Sequence, residues 1–99
     1  MASFAISFRI GNESNDAERY ASLVDVTRDL SEDGTWEETT SFILIKSSKS
    51  VGDVASHIYL RSKMRTDLDK LLVMEIGSKR YAAYGDIQYP ATLGKFFKN

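Results

Sequence analysis

The side chains able to do chemistry are few in this chain, and their spacing decides most of what it can be. The one histidine, His57, has no acid or nucleophile at a fixed offset to make it a general base. Its place beside an apolar stripe marks a surface histidine. Asp67 and Asp69 stand two apart in a polar TDLDK turn. Two monodentate carboxylates fall well short of the roughly six oxygens that calcium takes, so a solvated turn accounts for them. Glu37 and Glu38 project to opposite faces of an extended chain and cannot act as a carboxylate pair. Ser41, Ser47, Ser48 and Ser50 lack a G-x-S-x-G elbow, and the glycines form neither a P-loop nor G-x-G-x-x-G. Serine-hydrolase and nucleotide-cofactor readings therefore find no support.

Cations offer more. Lys46, Lys49, Lys63, Arg65, Lys79 and Arg80 fall near the ends of the elements read below, with Tyr81 and Tyr84 close by. Basic side chains interleaved with aromatic rings suit nucleic acid, where cations meet phosphate and rings stack on bases. Solvated loop lysines are the plainer explanation in a protein with net charge −1 and pI 5.8. Arg9 stands apart from these, almost at the end of the alternating stretch FAISFRI. It can satisfy a carboxylate such as Glu75 or Glu37, bind phosphate through its forked guanidinium, or stabilise phosphate charge in a reaction.

These side chains are positioned by a short series of elements. Phe4, Ile6, Phe8 and Ile10 recur with period two, which predicts a strand over 3–10 with those residues on one buried face. Arg9 then lies on the opposite face. GNESN breaks the strand; Asn15 as N-cap and Glu18 three residues on predict a helix from Asp16 to about Leu30, with Arg19, Asp25 and Asp29 toward water. SEDG is a turn, followed by a strand ending near Glu38 and another from Thr40 to Lys46. Phe42 to Ile45 are apolar without alternation, as in a strand covered on both faces. Ser50 and Asp53 make a second capping pattern, opening a helix from Val51 to about Lys63. Leu71 to Ile76 reads as a fourth strand and RYAAYG as a short fifth, with one helical turn after Pro90.

The order is β-α-β-β-α-β plus an extension. It predicts a ferredoxin-like α+β domain spanning 1–99, with a four-stranded antiparallel sheet, both helices on one face and a short fifth strand. Composition agrees: 99 residues, 42% hydrophobic and 27% charged, suit one packed domain and not a disordered chain. Absence of cysteine excludes disulfides and thiolate sites and fits a reducing cytoplasm. No apolar run is long enough to span a bilayer, and no export segment is recognisable, so a cytoplasmic location without membrane contact is expected. Residues 12–40 hold nine acids against Arg19 and Arg28, while 41–99 hold ten Lys or Arg against five acids. The charge is thus divided along the chain. A second sheet face left without a helix predicts a homodimer, with Ile43 and Ile45, or their neighbours Phe42 and Leu44, and with Tyr81 and Tyr84 as interface candidates.

ISFRIGN, SFILIKSS, SVGDVASHIYLRSKM and DLDKLLVMEIGSKRYAAYG, taken in this order, resemble a small CRISPR-associated family. That family serves as the dimeric scaffold of spacer integration, was earlier described as a metal-dependent endoribonuclease, and includes short bacterial homologues of unassigned role. The resemblance covers nearly the whole chain. It implies a dimer and a nucleic-acid partner; of the chain's own cations, Arg9, Lys46, Lys49, Lys79 and Arg80 are the binding candidates. In the family an aromatic at the end of the first strand is followed by an aspartate facing the dimer cleft. Phe8 and Arg9 hold those places here. A guanidinium is cationic and only donates, so it cannot replace a ligand to magnesium or manganese. A non-catalytic nucleic-acid-binding or scaffolding role without cofactor is therefore expected. A metal-dependent endonuclease and a dimeric module for a small ligand or protein are the alternatives.

Overall fold

Period-two burial along the first strand sets the architecture. The computed structural model describes residues 1–98 and is an α+β fold with three helices and one five-stranded antiparallel sheet. The strands are β1 (Ala2–Arg9), β2 (Thr35–Trp36), β3 (Phe42–Ser47), β4 (Lys70–Glu75) and β5 (Tyr81–Gly85). The helices are α1 (Asp16–Leu30), α2 (Val51–Arg61) and α3 (Pro90–Lys95). The sheet order is β2-β3-β1-β4-β5. β5 is a full member of the sheet, pairing with β4 from Lys70↔Gly85 to Met74↔Tyr81, so five strands replace the expected four with an extension.

Register puts the apolar alternation of three strands on one face. Phe4 opposes Ile45, Ile6 opposes Ile43 and Val73, and Phe8 opposes Leu71. These side chains form one buried cluster with Leu23 and Leu30 of α1 and Val54, Ala55 and Ile58 of α2. Burial of such side chains contributes about 1.5–3 kcal/mol each and is what holds the helices down. The apolar run Phe42 to Ile45 does alternate in burial after all. Ile43 and Ile45 enter the core, while Phe42 and Leu44 face the other way and stay half-buried.

The helix boundaries follow their signals with two exceptions. Ser50 caps α2 as expected, its hydroxyl accepting the Asp53 N–H at 3.1 Å. The helix stops at Arg61, two residues early, where Ser62 turns extended. Asn15 does not cap α1: it sits in the left-handed region (φ 63°, ψ 25°) without a side-chain cap bond, and Glu18 reaches Lys63 instead. β2 is only two residues long and β3 begins at Phe42, so the expected strand boundaries near Glu38 and Thr40 fall in irregular chain.

Two residues read as solvent-facing are in fact the buried polar centre. Arg19 and Asp69 are 3% and 0% exposed, with Arg19 Nε 3.1 Å from Asp69 Oδ2. Asp69 also accepts the N–H of Gly11 and of Arg65, both at 2.8 Å, and Arg19 donates to the carbonyls of Ser14 and Gly11. No buried side-chain nitrogen or oxygen among the described residues is left without a partner, which is the condition for burying such a pair. The backbone closes in around it. The Asp69 carbonyl accepts the Asp86 N–H at 2.9 Å, and Gly85, at φ +101°, has no room for a side chain because a Cβ would lie 2.0 Å from that carbonyl oxygen. The loop after β1, the turn before β4 and the end of β5 are thus tied at one residue, Asp69, the first two through its carboxylate and the last through its carbonyl.

Candidate functional site

The side chains that alternate away from the core build a second, open sheet face. From β1 these are Ser3, Ala5, Ser7 and Arg9; register sets Lys46, Leu44 and Phe42 against the first three, and Met74, Leu72 and Lys70 against the last three. Trp36 joins them beside Leu44, and Tyr81 beside Met74. Neither α1 nor α2 covers this face.

α3 covers one side of it. Pro90 at the first turn fixes the helix start, the Gly94 position lies against the Tyr81 hydroxyl, and Phe97 stacks on Tyr81 with centroids 4.2 Å apart. Lys79 Nζ donates to the Lys98 carbonyl at 3.2 Å and anchors the same segment. What remains open runs from Trp36 across Leu44 to Ile76. Trp36 is 40% and Ile76 54% exposed, large apolar side chains standing in water. They border a shallow hollow of about 370 Å³ with Ser3, Leu44 and Lys46. A second hollow of about 440 Å³ lies at the other end, between Ser7, Arg9, Lys70, Leu72 and the segment carrying Tyr89 and Leu93.

The five cations expected to act together do not form one site. Ala2 pairs with Ser47 and the Ile76 N–H donates to the Ser3 carbonyl, so the β3–α2 loop and the β4–β5 hairpin meet at the start of β1. Lys46, Lys49, Lys79 and Arg80 are gathered at that end. Lys46 lies on the open face, while Lys49 and Arg80 border a hollow beside the start of α2. Arg9 is at the opposite end of β1, six residues on, roughly 20 Å away at about 3.3 Å per residue.

Arg9 is exposed and faces the open side as its alternation predicts. Among the described residues no carboxylate pairs with it. Glu75 lies opposite Phe4 on the helix-bearing face, where the Ser78 hydroxyl and Arg80, at 3.0 Å, hold its carboxyl below the usual range. Glu37 is forked by Arg28 at 2.8 Å, and Arg28 and Thr35 lower its carboxyl likewise. The carboxylate partners considered for Arg9 are thus engaged elsewhere. The residue directly opposite Arg9 is another cation, Lys70, which leans away onto the Asp86 carbonyl and lies 3.7 Å from its carboxylate.

The interface candidates divide. Ile43 and Ile45 are 2% exposed in the core and have no surface to offer. Tyr84 turns to the helix side and stacks on Tyr59 at 4.8 Å. Tyr81 does lie on the open face, under Phe97. The apolar surface there belongs to the alternative pair Phe42 and Leu44, joined by Trp36 and Ile76. A two-residue β2 gives too little alternation to orient Trp36 from sequence, and Phe97 lies beyond any periodic segment.

No arrangement of metal donors is present among the described residues: no three His, Asp or Glu side chains converge. Asp67 pairs with Arg65 at 2.8 Å, and Asp69 is sequestered by Arg19. His57 is half-buried on α2; burial, then the nearby Arg61 and Lys49, lower its pKa below the ordinary 6.5. No helix among the described residues is long and apolar enough to cross a membrane. Compared with known proteins, the chain matches no family model, no curated protein and no solved structure.

Proposed function

We propose that the chain is a ferredoxin-like scaffold that pairs through its open sheet face and presents its basic end to nucleic acid, without itself cleaving it. The observation that carries this reading is the apolar strip of exposed Trp36 and Ile76 and half-buried Leu44, which α1 and α2 leave bare and α3 only borders. Apolar surface collected on one side of so small a protein favours a second surface to cover it. The ferredoxin-like reading is supported by the succession β1-α1-β2-β3-α2-β4 and the neighbour order β2-β3-β1-β4, with β5 added beyond β4. The nucleic-acid reading is supported by Lys46, Lys49, Lys79 and Arg80 meeting at one end, and by the resemblance to the CRISPR integration-scaffold family. Cation in place of carboxylate at Arg9, with no converging metal donors among the described residues, favours binding over hydrolysis.

Sedimentation equilibrium and a binding titration test the two halves separately. The parent protein is expected to sediment as a dimer, and Leu44→Glu as a monomer. Affinity for an RNA or DNA duplex is expected to fall with salt, and Lys46→Glu/Lys79→Glu to flatten that slope by roughly two. Cleavage in magnesium or manganese that a chelator abolishes would instead establish the nuclease alternative.

A further inference from the structure

We infer that the hollow beside Arg9 is a binding site for an amphipathic monoanion, a small carboxylate with an apolar body. The site is independent of the pairing and nucleic-acid readings, since it lies at the other end of the sheet from the four gathered cations. Its capacity, about 440 Å³, falls within the roughly 300–1,000 Å³ common for ligand pockets. Its floor and wall are apolar, from Leu72, Ile87 and Leu93, and Tyr89, 74% exposed, stands at its side.

The charge at the mouth selects the head group. Arg9 and Lys70 oppose each other in the β1–β4 register on the same face, a like-charge pair across strands. Asp86 does not cancel both. Its carboxylate is held by Gln88 Nε2 at 3.0 Å and by Lys70 at 3.7 Å, and among the described residues no acid reaches Arg9. Among the described residues Arg9 and Lys70 are the only charged side chains lining the hollow, so one uncompensated guanidinium faces a cavity with an apolar interior. A carboxylate accepts two parallel N–H bonds from such a fork, relieves the cross-strand repulsion and leaves its alkyl or aryl body over Leu72 and Leu93. A phosphodiester backbone has no apolar body to fill that interior.

Titrating the isotopically labelled full chain with decanoate, decanol and inorganic phosphate, followed by amide chemical shifts, tests this. Decanoate is expected to shift Ser7, Arg9, Leu72, Gln88 and Leu93 saturably, with decanol and phosphate each at least roughly tenfold weaker, since each lacks one half of the recognition. Arg9→Gln, an exposed site whose loss removes a like-charge pair, should fold and bind decanoate about tenfold more weakly while binding decanol unchanged. Leu93→Ala should weaken both. Decanol binding as tightly as decanoate, Arg9→Gln without effect, or shifts centred on Trp36 would each overturn the assignment. Saturation by phosphate alone or by an oligonucleotide at the same residues would overturn it too. Leu44→Glu is expected to keep decanoate affinity, so failure of the pairing reading is seen in sedimentation alone.

Discussion

Arg19 and Asp69 are fifty residues apart in the chain, yet their side chains meet 3.1 Å apart with almost no exposure to water. A buried pair of this kind is strongly sensitive to loss of either member, because the survivor keeps its desolvation cost without its partner. Asp69→Asn is therefore expected to destabilise the protein by about 3–5 kcal/mol. Arg19→Met should cost a similar amount, and the double variant less than the two together. Urea unfolding of the three variants measures it; strict additivity would show that the two side chains act separately.

Gly85 and Gly77 both have positive φ, +101° and +86°, but only Gly85 is hemmed in. Gly77→Ala should cost about 1–2 kcal/mol from backbone strain alone. Gly85→Ala adds a clash with the Asp69 carbonyl and should lose clearly more, together with the Asp86 N–H bond to that oxygen. Thermal melts of the two alanine variants compare them. Equal losses would mean that β5 can shift away from Asp69 freely.

Acid should weaken the fold modestly through a set of carboxylates at or near the surface. Ser48 lowers Glu32 through its backbone N–H and then its hydroxyl, Arg28 lowers Glu37, and Ser78 with Arg80 lowers Glu75. A group with a depressed folded pKa binds fewer protons folded than unfolded, so its contribution is present above about 4.5 and lost as pH falls through the folded value. His57 has the same sign one step higher. Its lowered pKa favours the neutral ring, so its contribution is complete above 6.5 and declines as pH drops below it. Stability measured from pH 7.5 to 3 should fall in two stages, with His57→Gln removing the upper one. A proton titration of the His57 ring with its midpoint above 6.5 would contradict this.

α3 is held mainly by the Phe97–Tyr81 stack and the Lys79 anchor on the Lys98 carbonyl. Phe97→Ala removes a ring contact worth about 0.5–1.5 kcal/mol beyond its burial. Amide exchange over 90–97 should then accelerate several-fold while β4 keeps its protection. Acceleration across β4 as well would show that α3 supports the whole sheet.

Much of this fold is written locally. β1 shows a clean period of two, α1 spans Asp16–Leu30 as its pattern indicates, and Ser50 announces α2 three residues before Asp53 closes the cap. Arg9 on the open face follows from alternation alone. What is not legible depends on distant partners. Asp69 reads as one acid of a polar turn because nothing near it in sequence reveals Gly11 or Arg19, and Arg19 reads as solvated for the same reason. The choice between Ile43 and Leu44 for the core is decided by pairing with β1, which a four-residue apolar run does not encode. The hollow at Arg9 needs Leu93 brought back across the sheet from twenty-one residues beyond Leu72, a placement no periodicity specifies.

Trp36 is the sole tryptophan of the chain and stands on the open face, edge-on to Phe42 at 6.4 Å and 40% exposed. The protein therefore carries its own optical gauge at the place where a second surface would arrive. Closing that face would strip water from the indole and move its emission to the blue as concentration rises, while a ligand seated at the Arg9 end would leave the colour unchanged. One dilution series of the unlabelled, unmodified chain therefore reads closure at the Trp36 end alone.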